Sequence, residues 1–214
     1  MASSTLDAGL TLTHDIQVAH AAGLRTGLLL FNIQGYFDNI NRGRLIQVIA
    51  DLGFAPEIVS WTRAFLSDRT VRLKFNAHIS DPFNSEVGTP QGSPISPVLS
   101  SLYTHALLRK TRDIKWTSLN LYIDDRAILA CGRDWSEVES SLTTAYSSCA
   151  SWLDRAGLKA EPDKTELIYF RCRYEKTDLP GHIYLPQWSH STYYKVKAMQ
   201  HLQYLGFFLD HKLC

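Results

Sequence analysis

Leu121-Tyr122-Ile123-Asp124-Asp125-Arg126-Ala127-Ile128-Leu129 places apolar residues on both sides of an adjacent carboxylate pair. Ile, Leu and Tyr suit a pleated surface, and Asp tolerates turn geometry, so the stretch reads as two strands meeting at a tight hairpin with the acids at its tip. Neighbouring side chains on an extended strand point to opposite faces, but a turn can relax that alternation and bring both carboxylates to one metal region. A solvated turn would use the same residues. The pair gains meaning only from the rest of the chain.

The 214 residues are enough to bury a substantial core, and a 45% hydrophobic, 20% charged composition is that of a folded chain rather than a disordered tail. A net charge of +1 leaves a polyanionic partner open, since local patches decide such binding. Cys131, Cys149, Cys172 and Cys214 are scattered without a C-x-x-C pair, which argues against a zinc site or a disulfide framework and leaves reduced thiols as the default. The N-terminus lacks the pattern of a signal peptide, and the densest apolar run, residues 28–31, is far too short to span a bilayer. An intracellular location, nuclear or cytoplasmic, is expected.

Upstream of the hairpin, residues 13–22 have helical spacing closed by Gly23, and residues 27–33 form an apolar run that suits a buried strand. Asn41 can cap a helix through Leu52, and Pro56 can open another through Leu66. Residues 70–76 alternate Val71, Leu73 and Phe75 with Arg72 and Lys74, predicting a strand with one apolar and one basic face. A shaped Pro/Gly loop, residues 88–97, then feeds a helix capped by Ser96, and a loop of this kind near a helix N-terminus suits an anionic ligand. Downstream, Ser136 and Glu139 predict a capping box for a long helix ending at Gly157. Pro162 and Lys164 fall in an expected turn before a strand at residues 167–170. Residues 182–185, 193–198 and 202–209 read as further strands, the last bent at Gly206. Strands interleaved with helices, one hairpin included, predict an α+β fold with a small antiparallel sheet backed by helices.

Five segments in this order resemble the sequential motifs of a reverse transcriptase. They are residues 31–40 (FNIQGYFDNI), the loop Pro90-Gln91-Gly92-Ser93-Pro94, Tyr122-Ile123-Asp124-Asp125, Gly157-Leu158 with Lys164-Thr165, and Tyr204-Leu205-Gly206. The version is most similar to that of non-LTR, LINE-like retrotransposons. The resemblance implies a palm domain with part of the fingers and no thumb. Residues 1–26 would be a fingers remnant, 27–40 the first palm motif, 41–87 a fingers-like insertion, and 88–214 the palm through the primer grip. It further implies RNA-directed DNA polymerisation, with RNA template, DNA primer and deoxynucleoside triphosphates as partners. Two divalent ions would activate the primer hydroxyl and stabilise the leaving oxygens. The resemblance assigns the metals to Asp124, Asp125 and the backbone carbonyl of Ile33, with Mg2+ as the ion and Mn2+ as an alternative. Phe37 would lie beneath the sugar and exclude ribonucleotides. Gln91 and Gly92 would face the nucleotide and template, Lys164 would be the acid towards pyrophosphate, and Leu205 and Gly206 would grip the primer.

The chain departs from the family at its first catalytic aspartate, where Asn32 offers an amide oxygen without charge. Asp38 matches a different position, and Arg126 stands directly after the Asp pair where relatives often have a smaller residue. The resulting expectation is a degenerate or truncated copy with impaired activity, its fingers and thumb missing or supplied by another polypeptide. The alternative is a catalytically silent module that keeps the palm fold and binds nucleic acid or protein.

Overall fold

The computed structural model describes residues 4–123, 125–172, 177–187 and 192–213. The chain begins with α1 (Thr5–Ala21), β1 (Arg25–Ile33), α2 (Arg42–Asp51) and α3 (Pro56–Leu66). Four two-residue strands follow: β2 (Thr70–Val71), β3 (Lys74–Phe75), β4 (His78–Ile79) and β5 (Phe83–Asn84). Next come α4 (Ser96–Thr104), a 3-10 turn (His105–Arg109), β6 (Thr117–Tyr122), β7 (Asp125–Gly132) and α5 (Trp135–Arg155). The chain closes with β8 (Ala160–Phe170), β9 (His182–Gln187), β10 (Thr192–Met199), β11 (His201–Tyr204) and β12 (Phe207–Asp210). The fold is α+β, as expected.

Two units divide the chain. The first holds residues 1–33, 106–155 and 159–214; the second holds residues 34–105 and 156–158. The first unit is built on a six-stranded sheet in the order β6-β7-β1-β8-β10-β9, antiparallel except where β10 runs beside β8. β1 lies at its centre and is buried on both faces, which is why its sequence is a continuous apolar run rather than an alternation. α5 packs on the sheet through Leu142, Ala145, Cys149 and Leu153. It comes so close that a Cβ on Gly27 would meet Val138 at 2.9 Å. Leu12 and Ile16 of α1 join Leu28, Leu129, Ile168 and Phe170 of the sheet in a second core, which Leu202, Tyr204 and Leu209 from β11 and β12 complete. In the second unit α2 packs on both α3 and α4, and Tyr36 is tied to α4 by its hydroxyl, which donates to Ser100 O at 2.5 Å and lies 2.8 Å from Thr104 Oγ1.

Several boundaries differ from those read in the sequence. α1 begins eight residues before the expected start at Thr13, because Ser4 caps it by accepting from Asp7 N at 3.2 Å. The cap of α5 is Asp134, which accepts from Glu137 N, while Glu137 accepts from Arg133 N; Ser136 and Glu139 lie inside the helix. Ser96 does not cap α4, since its hydroxyl donates to Pro90 O at 2.6 Å and ties the loop to the helix instead. Residues 70–76 form no single amphipathic strand: β2 pairs β5, β3 pairs β4, and Val71, Leu73 and Phe75 are all exposed. Residues 202–209 make a hairpin of two strands, β11 and β12, rather than one bent strand. No helix among the described residues is long and apolar enough to cross a membrane.

Candidate active site

β6 and β7 meet at a two-residue connection whose last ladder pair is Tyr122 with Asp125. Ile123 has φ +51, a conformation that β-branched residues seldom adopt. The Nη1 of Arg126 donates to Ile123 O at 2.8 Å, and the guanidinium is almost fully buried. Its charge reaches Cys149 on α5, where it partly offsets the burial that pushes that thiol up to about 12. Arg126 therefore braces the hairpin tip from inside the protein. Asp124 lies outside the described residues.

Asn32 stands directly opposite Asp125 across the β1–β7 pair. On its other side Asn32 pairs with Glu161 of β8, after an irregularity in the ladder: Leu30 pairs with Glu166 and Asn32 with Glu161. Two steps on β1 thus match five on β8, and the three extra residues bulge. Pro162 has no N–H to give the ladder, which explains where the bulge falls. The expected turn at Pro162 and Lys164 is this bulge inside a continuous strand. Asn32, Asp125, Asp163, Lys164, Glu166, Tyr204 and Leu205 line one cavity of about 290 Å³. Lys164 Nζ is 3.1 Å from Glu161 Oε2, an exposed pair worth little stability but one that directs the ammonium.

Leu205 and Gly206, both at positive φ, form the tight turn between β11 and β12 that brings Leu205 to the cavity. Beside them the hydroxyl of Tyr204 is buried and has no hydrogen-bond partner among the described residues. Burial first, and then the charge of Asp125, raise the phenol's pKa to about 12, so it stays protonated at neutral pH. Nothing in the sequence singled out Tyr204 beyond its place before Leu205-Gly206, because its burial depends on packing against α1 and the sheet.

Phe37, Gln91 and Gly92 belong to the second unit. Phe37 is half-buried, its ring 5.4 Å from that of Tyr36. Thr89 N donates to Phe37 O at 2.8 Å, and Gln91 Nε2 donates to Asp38 Oδ1 at 2.9 Å, so the Pro/Gly loop is stitched to the segment carrying Phe37. Gly88 allows this approach: at φ +81, an added Cβ would lie 2.8 Å from Asp38 O and 2.9 Å from Phe37 O. Arg42 holds the loop from behind, donating to the carbonyls of Ser85, Val87 and Gly88. The role of Asp38 as partner of Gln91 was not legible in the sequence, where the two are 53 residues apart.

Among the described residues no group of three His, Cys, Asp or Glu side chains is arranged to hold a metal ion. The oxygen donors that do line the cavity, two carboxylates of β8, Asp125 and the amide of Asn32, are of the hard kind that divalent Mg2+ takes.

The sequence matches the family model for reverse transcriptases, RNA-dependent DNA polymerases, over residues 2–209. The chain belongs to the reverse transcriptase family. It is 28% identical over 141 residues to the probable RNA-directed DNA polymerase from transposon BS of Drosophila melanogaster, a match covering 64% of this chain and 16% of that protein. It is 24% identical over 190 residues to the RNA-directed DNA polymerase from mobile element jockey of the same species, covering 85% of this chain and 19% of that one. The chain spans less than a fifth of the length of these curated relatives, which are in keeping with the non-LTR resemblance. In fold it is similar to apo telomerase of Candida tropicalis truncated from its C-terminal domain, with TM-score 0.60 at 14% identity over 94% of this chain and 38% of that one. Telomerase of the same organism in complex with a TWJ fragment of telomeric RNA matches at TM-score 0.56 and 15% identity, over 83% of this chain and 31% of that one.

Proposed function

We propose that this chain is the palm of an RNA-directed DNA polymerase of a non-LTR retroelement whose divalent-metal site is one charge short. The observation that carries this reading is the cross-strand pairing of Asn32 with Asp125, both lining one cavity with Lys164 and the β11–β12 turn. Asp124, Asp125, Asn32 and the carbonyl of Ile33 would hold the ions, Mg2+ or Mn2+. Ions held by these residues would supply activation of the primer 3'-hydroxyl and neutralisation of charge on the leaving pyrophosphate. Lys164 would deliver a proton to that leaving group. Leu205 and Gly206 would seat the primer terminus, while Gln91, held by Asp38, and Gly92 would face the deoxynucleotide paired to an RNA template. Phe37 would block a 2'-hydroxyl. In this division residues 27–40 and 88–214 act as palm, with residues 1–26 and 41–87 as parts of the fingers.

Asn32 gives the amide oxygen without the charge. One unit charge at about 4 Å is worth roughly 4 kcal/mol at an effective dielectric near 20. At about 1.4 kcal/mol per decade, that is on the order of a thousandfold in rate. The same residue supports the second reading, a module that binds nucleic acid and catalyses nothing. Magnesium-dependent extension of a primed RNA template separates them, run on this chain joined to fingers and thumb of an active relative, with Asn32 and with Asn32→Asp. The polymerase reading expects Asn32→Asp to raise extension by about two to three decades. Equal extension by both would refute the role of Asn32, and binding without extension by either would favour the silent module.

A further inference from the structure

The second unit carries a groove of about 340 Å³ with three arginines in its lining, Arg42, Arg63 and Arg69. Arg42 spends its N–H groups on the carbonyls of Ser85, Val87 and Gly88 and on the Ser85 hydroxyl. Among the described residues no carboxylate lies within ion-pair distance of any of the three guanidinium groups. Asp68 and Glu86 also line the groove, both exposed, whereas Arg42 and Arg69 are half-buried. Burial, followed by the like charge of Arg69, lowers the pKa of Arg42, so two guanidinium groups feel one another in a partly dry setting. An anion would relieve that repulsion.

Arg69 also joins the groove to an aromatic platform. Its guanidinium stands over the ring of Phe65 at 5.7 Å, and Phe65 is stacked on Trp61 at 5.3 Å with the rings 8° from parallel. Trp61 is 51% exposed. A large ring that is already held flat by a neighbour, yet open to solvent, can stack a further flat surface with little additional ordering.

We infer that this face of the second unit takes single-stranded nucleic acid, with a backbone phosphate in the arginine groove and a base laid on Trp61. The inference rests on the reading of the chain as a nucleic-acid enzyme or module and adds where an unpaired strand is held. A duplex keeps its bases stacked inside and would leave the indole unused. An acidic peptide would use the arginines and likewise leave the indole idle.

The test is fluorescence anisotropy on the full chain with labelled oligouridine and oligothymidine of about 12 nucleotides, a blunt RNA duplex and polyglutamate, over a salt series. Trp61→Ala is expected to weaken single-strand binding about tenfold with the salt slope unchanged, and Trp61→Phe to keep most of the affinity. Arg63→Gln with Arg69→Gln is expected to flatten the slope of log K against log salt by about 0.7 per guanidinium removed. Thermal unfolding of each variant checks that the fold is kept. Binding of either oligomer with this dependence on the indole supports the inference. Wild-type binding that the variants leave unchanged overturns it alone, as does equal dependence on Trp61 for the duplex. Polyglutamate binding that needs the arginines, with no effect of Trp61 on either oligomer, would make the face a protein-docking surface instead. A wild-type chain that binds no nucleic acid in any form would overturn both this inference and the proposed function.

Discussion

Asn32, Arg126 and Tyr204 line one cavity, and their polar groups stand in different surroundings. Arg126 is a cation placed under a hairpin tip where Ile123 holds an unfavourable φ, and its hydrogen bond to that carbonyl compensates for the strain. Tyr204 presents the opposite case, a buried hydroxyl with no partner among the described residues. Such a group costs desolvation and returns no bond, so Tyr204→Phe is expected to leave stability unchanged or raise it by up to about 1 kcal/mol at pH 7, read from urea midpoints. A loss of more than about 1 kcal/mol would mean that the hydroxyl is bonded in the folded protein. The same variant has a pH signature. The phenol's pKa rises from 10.0 to about 12 on folding, so its contribution is complete below pH 10 and is lost as pH climbs through 12. Tyr103, Tyr146, Tyr169 and Tyr194 are raised in the same direction by burial, so the whole chain should weaken above pH 10, and Tyr204→Phe should make that decline shallower.

At the scale of elements, the legible parts were those fixed by local pattern. The 121–129 hairpin, β1, α2 with its Asn41 cap and α3 with its proline start all follow from spacing and capping within about ten residues. What was not legible depends on partners distant in sequence. The β8 bulge that brings Asp163 and Lys164 to the cavity exists only in register with β1, and the short ribbons at residues 70–84 leave Val71, Leu73 and Phe75 exposed. The cap of α5 was missed by two residues because Asp134 and Ser136 compete near its start, whereas α1 began eight residues before the expected Thr13 because Ser4 caps it. The Pro/Gly loop was legible as shaped, but not the reason for Gly88. There φ +81 and backbone oxygens at 2.8 and 2.9 Å from a would-be Cβ combine, whereas Gly92 at φ +86 has open space around it. Gly88→Ala is expected to destabilise by about 2–4 kcal/mol and Gly92→Ala by about 1–2, compared by urea unfolding. Equal costs at the two sites would remove the close approach as the cause.

For the whole molecule, the likeness to telomerase at 14% identity shows that the palm architecture survives wide divergence, because a six-stranded sheet with helices on it tolerates any side chains that keep its two cores filled. An ion site is more demanding than a fold, since it needs charge at fixed positions, whereas an amide such as Asn32 sits in β1 without disturbing its burial. In the proposed function Asn32 and Asp125 face one divalent-ion site that lacks a single charge. Mn2+ titration of the full chain by electron paramagnetic resonance tests this without requiring turnover. Asn32→Asp is expected to tighten Mn2+ binding by at least about tenfold, Mg2+ to compete at the same site, and Asp125→Asn in the Asn32→Asp background to cancel the gain. Identical Mn2+ affinity for Asn32 and Asn32→Asp, or a gain that survives loss of the Asp125 carboxylate, would contradict it.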